Sequence, residues 1–219
     1  MPRLLFEKTG NAIWISHLDL MRLFQRAFKR AGLHLKHTQG FNPRPSVSIA
    51  LPLSVGVESR CELLDFELDG QSVSNDKICS LLNDTLVDGV KVLDVYDTGK
   101  KLRELSLLRC HIVMEYDRGV PDNAVDAITA LFNRDALIVD KKTKSGLQEQ
   151  DILPMIKSLE LTQANGHEVE MNALICCQNP TLNPMQLPIA VAKYLPDIKH
   201  DFCRCCRIEI YDKDKKVFR

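Results

Sequence analysis

The chain is 219 residues long and lacks most of the patterns by which catalytic proteins announce themselves. It has no GxGxxG and no GxxxxGK[ST], so no phosphate-cradling glycine loop is present. It has no HExxH and no GxSxG, which removes the common metalloprotease and serine-hydrolase signatures. No run of about 18 apolar residues occurs, and a transmembrane helix is not expected. The opening MPRLLFEKTG does not have the charged-then-apolar layout of a signal peptide, so a cytoplasmic protein is expected. Net charge is also missing: 29 Lys and Arg face 29 Asp and Glu. With 45% hydrophobic and 26% charged residues, the composition is that of an ordinary folded domain.

The zero balance hides an asymmetry. Residues 1–60 hold nine basic residues against the acids Glu7, Asp19 and Glu58, a local charge of +6 that the remainder offsets with −6. Such a division either marks an anionic partner for the basic segment or is a dipolar surface with no partner.

The eight cysteines do not form paired zinc spacings. Cys203 and Cys206 make one Cys-x-x-Cys, with His200 and the adjacent Cys176 and Cys177 as the nearest further ligands. Both groups lie in strand-like runs, where Cys203 and Cys205 share one face and Cys206 points to the other. The reading preferred is reduced, buried cysteines, with no metal and no cofactor.

Hydrophobic periodicity divides the chain into two runs of elements. In the first, strands are expected at 3–8, continued by 12–15, then at 33–37, 46–53, 61–68 and 90–96. Helices are expected at 16–32 and 72–87. The first helix opens on Ser16-His17-Leu18-Asp19, a capping-box-like start, and Gly32 suits its stop. Leu20, Leu23, Phe24, Ala27 and Ala31 fall on one side, and Arg22, Arg26, Lys29 and Arg30 on the other. In the second run, strands are expected at 107–116, 136–141, 168–177 and 203–211, and helices at 123–132 and 183–194. The predicted fold is α+β: two tandem ferredoxin-like βαββαβ modules with mostly antiparallel sheets. Their boundaries are 1–99 and 106–219, the second with an inserted segment near 141–161.

The most specific local signal is Gly40-Phe41-Asn42-Pro43-Arg44-Pro45. The two prolines fix their own φ and push Asn42 and Arg44 toward extended backbone, while Gly40 permits what other residues resist. The result is a stiff loop that either presents Arg44 and Phe41 or merely connects strands. His17, Asp19 and His37 are the candidates for acid–base work, and Lys36 borders the same loop.

The run from Ile15 to Ser59 resembles the signature of the DUF2344 family, the radical-SAM-associated proteins. The resemblance is carried by Ser16, His17, Leu18, Asp19, Arg22, Arg26, Ala27, Gly32, Gln39, Gly40, Phe41, Asn42, Pro43, Pro45, Pro52, Leu53, Gly56 and Ser59. Glu62 and Asp65 fit it too, as do Lys141, Lys142, Lys144 and the Asp151-Ile152-Leu153-Pro154 segment further on. The resemblance implies a radical SAM protein as partner, with RNA processing nearby. This chain has no Cys-x-x-x-Cys-x-x-Cys run to hold a cluster and would be the separate, stand-alone partner.

Three functions follow as expectations. The first is a non-catalytic RNA-binding or substrate-presenting accessory protein, with Arg22, Arg26, Lys29, Arg30, Lys36, Phe41, Asn42 and Arg44 as nucleic-acid contacts. Gly40, Pro43, Pro45 and Gly56 would shape its loops. The second is a metal-independent RNA-processing enzyme using His17 or His37 with Lys36 or Arg44. The third is a pure protein–protein adaptor for the radical SAM partner.

Overall fold

The computed structural model describes residues 2–70, 72–143 and 146–219. These divide into two compact units, one running to Glu104 and including Arg219, the other Leu105–Phe218. Both are mixed α and β, and every ladder between their named strands described below is antiparallel.

The first unit runs β1 (Pro2–Lys8), α1 (His17–Arg30), β2 (Val47–Ile49), β3 (Val57–Phe66), α2 (Asn75–Asn83) and β4 (Val90–Asp97). Its strand order is β4-β1-β3-β2. One core joins both helices to the sheet: Leu20, Phe24, Ala27 and Phe28 of α1, Ile78 and Leu82 of α2, and Leu4, Phe6, Leu64, Phe66 and Val92 of the strands. Phe6 meets Phe24 edge-on at 4.7 Å between ring centroids, and Phe28 meets Phe66 at 5.0 Å. The buried charged pair Arg3 and Asp65, at 2.6 Å and 3.1 Å, ties β1 to β3, and Arg3 also donates to the Lys100 carbonyl at 2.9 Å. Asp65 therefore has a structural role; cutting a buried pair at one partner costs about 3–5 kcal/mol.

Two expected strands here take other forms. Residues 12–15 were expected to extend β1; Gly10–Trp14 is instead a short 3-10 helix. It is pinned by Thr9 donating to the Gly89 carbonyl at 2.7 Å. A Cβ at Gly89 would sit 2.3 Å from the Thr9 oxygen and 2.9 Å from the Ala12 side chain, so glycine alone allows this approach. Residues 33–37 are not a strand but an extended segment held by bridges at Leu35 to Leu68 and His37 to Pro45. The strand expected at 46–53 shortens to three residues because Pro52 and the turn before Gly56 follow it.

The second unit runs β5 (Leu105–Glu115), α3 (Ala124–Phe132), β6 (Ile138–Thr143), β7 (Gly146–Asp151), β8 (Ile156–Asn165), β9 (Glu168–Cys176), α4 (Gln186–Tyr194) and β10 (Phe202–Asp212). Its main strand order is β10-β5-β9-β8, and β6 pairs only with β7 in a separate two-stranded ribbon. The strand expected at 136–141 therefore lies outside the main sheet, and the strand that occupies its place is β8, which begins within the segment expected to be an insertion. The ribbon is fastened to α4 by the Tyr194 hydroxyl, which donates to the Ile138 carbonyl at 2.8 Å, and by Lys193 with Asp140 at 3.3 Å. The Asp151-Ile152-Leu153-Pro154 segment is a turn. The Asp151 carboxylate accepts from the Leu137 and Leu153 amides at 2.9 and 3.2 Å, and Ile152 is fully buried.

Phe24→Ala or Phe28→Ala should each lower the unfolding free energy by about 3–5 kcal/mol. Arg26→Ala on the opposite face should stay within about 0.5 kcal/mol of the parent. Chemical denaturation compares them; equal effects would show that the aromatic contacts do not anchor α1.

Candidate nucleic-acid interface

The candidate surface is the outward side of α1 and the segment that follows it. Ser16 is the N-cap: its hydroxyl oxygen accepts from the Asp19 amide at 3.2 Å, and the same hydroxyl donates to the Asp19 carboxylate at 2.8 Å. At the other end Leu33 donates to the Phe28 carbonyl at 2.9 Å and Gly32 to Lys29 at 3.2 Å, the pairing of a Schellman stop. Gly32 takes the required left-handed φ of +70°. This stop turns Leu33 and Leu35 inward and leaves His34, Lys36 and His37 outward.

At about 100° per residue, positions 18, 22, 25, 26, 29 and 30 fall within one arc of roughly 140°, which also takes in Asp19. Leu18, Arg22, Arg26, Lys29 and Arg30 are all exposed. Arg22 pairs with Asp19 at 3.0 Å, so one acid does offset the basic face at its start. Arg26, Lys29 and Arg30 have no ion pair among the described residues. The Ser16 hydroxyl first, then Arg22, hold the Asp19 carboxyl below its ordinary 3.8. Lys36 pairs with Glu67 at 3.1 Å and is thereby partly neutralised.

The loop is closed at its base by Thr38 and Arg44: the Thr38 amide donates to the Arg44 carbonyl at 2.8 Å, and the Arg44 amide to the Thr38 hydroxyl at 3.0 Å. Ser46 donates to the Lys36 carbonyl at 2.7 Å just outside. The tip is presented to solvent. Phe41 is 109% exposed, so it does not anchor the loop on the core, and Asn42, Pro43 and Arg44 are exposed beside it. Gly40 holds φ +138° at the tip.

Helix and loop enclose a cavity of about 290 Å³ lined by Gln25, Lys29, Leu33, His34, Leu35, His37 and Pro45. It brings together Lys29 and His37, two of the expected residues, and adds His34 and Gln25. An ammonium and two imidazoles around one cleft can hold an anion, and imidazole can also move a proton. His17 is not part of it. Twelve residues separate His17 from Lys29 along α1, roughly 18 Å at the helical rise, so His17 and His37 stand at opposite ends. The sequence reading missed Trp14, which is 64% exposed just before α1, with a ring carbon 3.5 Å from where a Cβ at Gly56 would stand. Gly56 thus lies beside the indole.

A larger cavity, about 690 Å³, lies in the second unit between α3 and β8. Its two cations are engaged: Arg134 lies over the Tyr194 ring at 5.7 Å and Lys157 donates to the Pro154 carbonyl at 2.8 Å. The lining of the smaller cavity holds Lys29, which makes no ion pair among the described residues, and on charge it is the better anion site. Lys141, in β6, donates to the Thr181 carbonyl at 3.4 Å, and Lys144 lies outside the described residues.

Apart from Cys79 in α2, the cysteines lie in strands or, for Cys177, just past the end of β9. Cys176, Cys177 and Cys205 are buried, and Cys203 and Cys206 are partly so. Burial pushes the Cys110 and Cys203 thiols up to about 12, and Cys205 well above its ordinary value. Among the described residues no group of three or more His, Cys, Asp or Glu is placed to hold a metal ion. No described helix is long and apolar enough to cross a membrane.

Residues 2–184 match the model of a family described as an uncharacterized protein conserved in bacteria, DUF2344. The chain belongs to that family. No curated protein matches it. Among solved structures, this DUF2344 chain is similar to one in a crystal structure of a Cbf5-Nop10-Gar1 complex, with 7% identity and TM-score 0.53. The match covers 95% of this chain and 48% of that one, so this chain spans about half its length, and at that identity the likeness is one of fold. It is also similar to an unknown protein from Galdieria sulphuraria, at 11% identity and TM-score 0.27, over 94% of this chain and 96% of that one.

Two outcomes follow from the titrating groups. Asp19 is depressed in the folded state, so its contribution is complete above about 3.8 and is lost as pH falls through its lower folded value. Protection factors against amide exchange at the first turn of α1 should fall on acidification, and less so in Asp19→Asn; an equal fall in that variant would contradict this. A thiol with pKa about 12 is thiolate at only about one part in 10⁴ at pH 8. Iodoacetamide should therefore label Cys110 and Cys203 rapidly only after denaturation; fast labelling of the folded protein at pH 8 would contradict it.

Proposed function

We propose that this protein is a non-catalytic RNA-binding accessory protein, cytoplasmic, that presents RNA to a radical SAM enzyme. We also infer that both units are ferredoxin-like modules. Supporting that inference, β4-β1-β3-β2 and β10-β5-β9-β8 are the same 4-1-3-2 order for a βαββαβ chain once the β6–β7 ribbon is set aside.

The observation that carries the RNA reading is the cationic face of α1, which holds four basic side chains against the single acid Asp19. Arg26, Lys29 and Arg30 are exposed and make no ion pair among the described residues, and Lys29 leads directly into the cleft with His34 and His37. Solvated helix faces normally mix signs, because like charges one turn apart repel by a few tenths of a kcal/mol each. A polyanion supplies the missing counter-charge. Phosphates along α1 would fix the strand's position, and the exposed Phe41, Asn42 and Arg44 would meet bases. The stiff loop loses little conformational entropy on binding.

Fluorescence anisotropy with labelled RNA tests this. With three or four phosphates neutralised, the slope of log affinity against log salt should be about −2 to −3. The combined Arg26→Glu, Lys29→Glu and Arg30→Glu variant should lose most of both affinity and slope. Absence of binding at low salt, or binding that ignores salt, would overturn the proposal.

A further inference from the structure

We propose that the bound RNA is a single strand and that Trp14 is a stacking platform for one of its bases, an inference that rests on the RNA-binding reading above. Trp14 is the sole tryptophan of the chain. It and Leu18 stand 64% and 67% exposed at the N-terminal end of α1. A lone exposed apolar side chain is ordinary; the setting of this one is not. The backbone on either side of it is fixed by three hydrogen bonds. Thr9 donates to Gly89 at 2.7 Å, Ile15 to Ala12 at 3.0 Å, and Gly56 to Ile13 at 2.9 Å. Glycine at 89 is required for the first of these approaches, and Gly56, at φ +80°, lies beside the indole. The indole therefore stands on a fixed stretch of backbone with much of its surface in water, where an aromatic face can stack on a ligand.

The second observation is the order of groups along the helix. Trp14 and Leu18 stand at one end, Arg22, Arg26 and Lys29 follow on one arc, and the fully exposed Phe41 lies on the loop whose base lines the Lys29 cleft. Leu18 to Lys29 spans roughly 16 Å along the axis. Aromatic faces at the two ends of a cationic track suit a strand whose phosphates follow the cations and whose bases are free to turn outward. An A-form duplex keeps its bases stacked inside and offers only phosphates, hydroxyls and base edges, which gives an exposed indole no face to stack on.

The single tryptophan is its own reporter. Its emission is titrated with an unlabelled eight-nucleotide single-stranded RNA, its DNA counterpart, and a blunt RNA duplex of the same sequence. Anisotropy with labelled RNA is measured in parallel for the parent, Trp14→Ala and Trp14→Phe, with thermal melts to confirm folding. The expected result is quenching by the single strands and not by the duplex, about tenfold weaker binding in Trp14→Ala, and most of the affinity restored in Trp14→Phe. If Trp14→Ala melts early, quenching and Trp14→Phe decide. Salt-sensitive RNA binding with no quenching, or equal binding of duplex and single strand, overturns this inference and leaves the RNA-binding reading standing. No binding of any RNA overturns both.

Discussion

Two aromatic contacts set the rotation of α1, and the candidate surface depends on them. Phe24 meets Phe6 on β1, and Phe28, one turn later, meets Phe66 on β3. Anchored to two different strands, the helix cannot roll without opening one contact. Once those residues face the sheet, 3.6-residue periodicity leaves Arg22, Arg26, Lys29 and Arg30 facing water. The Schellman stop then fixes where the chain leaves the helix, and the segment after it closes the cleft against Lys29 and Gln25. A packing constraint in the core thus becomes a charge pattern on the surface.

The cations have stabilising work of their own. Lys29 and Arg30 sit in the last turn of α1, where the helix dipole favours positive charge by about 0.3–1 kcal/mol each at low salt. Arg22 is partnered by Asp19. Arg26 has less, being interior to the helix, without an ion pair among the described residues, and drawn to Asp19 less strongly than Arg22 is. It is the residue for which local stability offers least reason and an external anion offers most. Lys36 is the converse: Glu67 and the backbone bonds on either side give it a structural role.

Local signals were legible in the sequence, and pairings were not. The capping box at Ser16 and Asp19, the glycine stop at Gly32 and the two faces of α1 depend on spacing within a few residues. The stiffness of the 40–45 loop is likewise written in its prolines. Residues 12–15 read as strand because short apolar runs do not separate strand from helix by periodicity. The close approach of Gly89 that folds them into a 3-10 turn comes from more than seventy residues away. The swap of residues 136–141 for β8 in the main sheet has the same origin: both segments suit a strand, and which one pairs with β9 is decided by tertiary contacts. Phe41 could be read as anchor or as presented residue, since phenylalanine usually marks core. Trp14 was hidden by the strand reading, although a tryptophan beside a Gly-Asn turn and a helix cap was a signal that it stands at an edge.

The most direct test of the account is ultraviolet crosslinking of bound single-stranded RNA, followed by mapping of the crosslinked peptides. The account predicts crosslinks in the segments carrying Trp14 and the outward face of α1, and in the loop carrying Phe41. Crosslinks confined to the second unit, around Arg134 and Lys157, would contradict it.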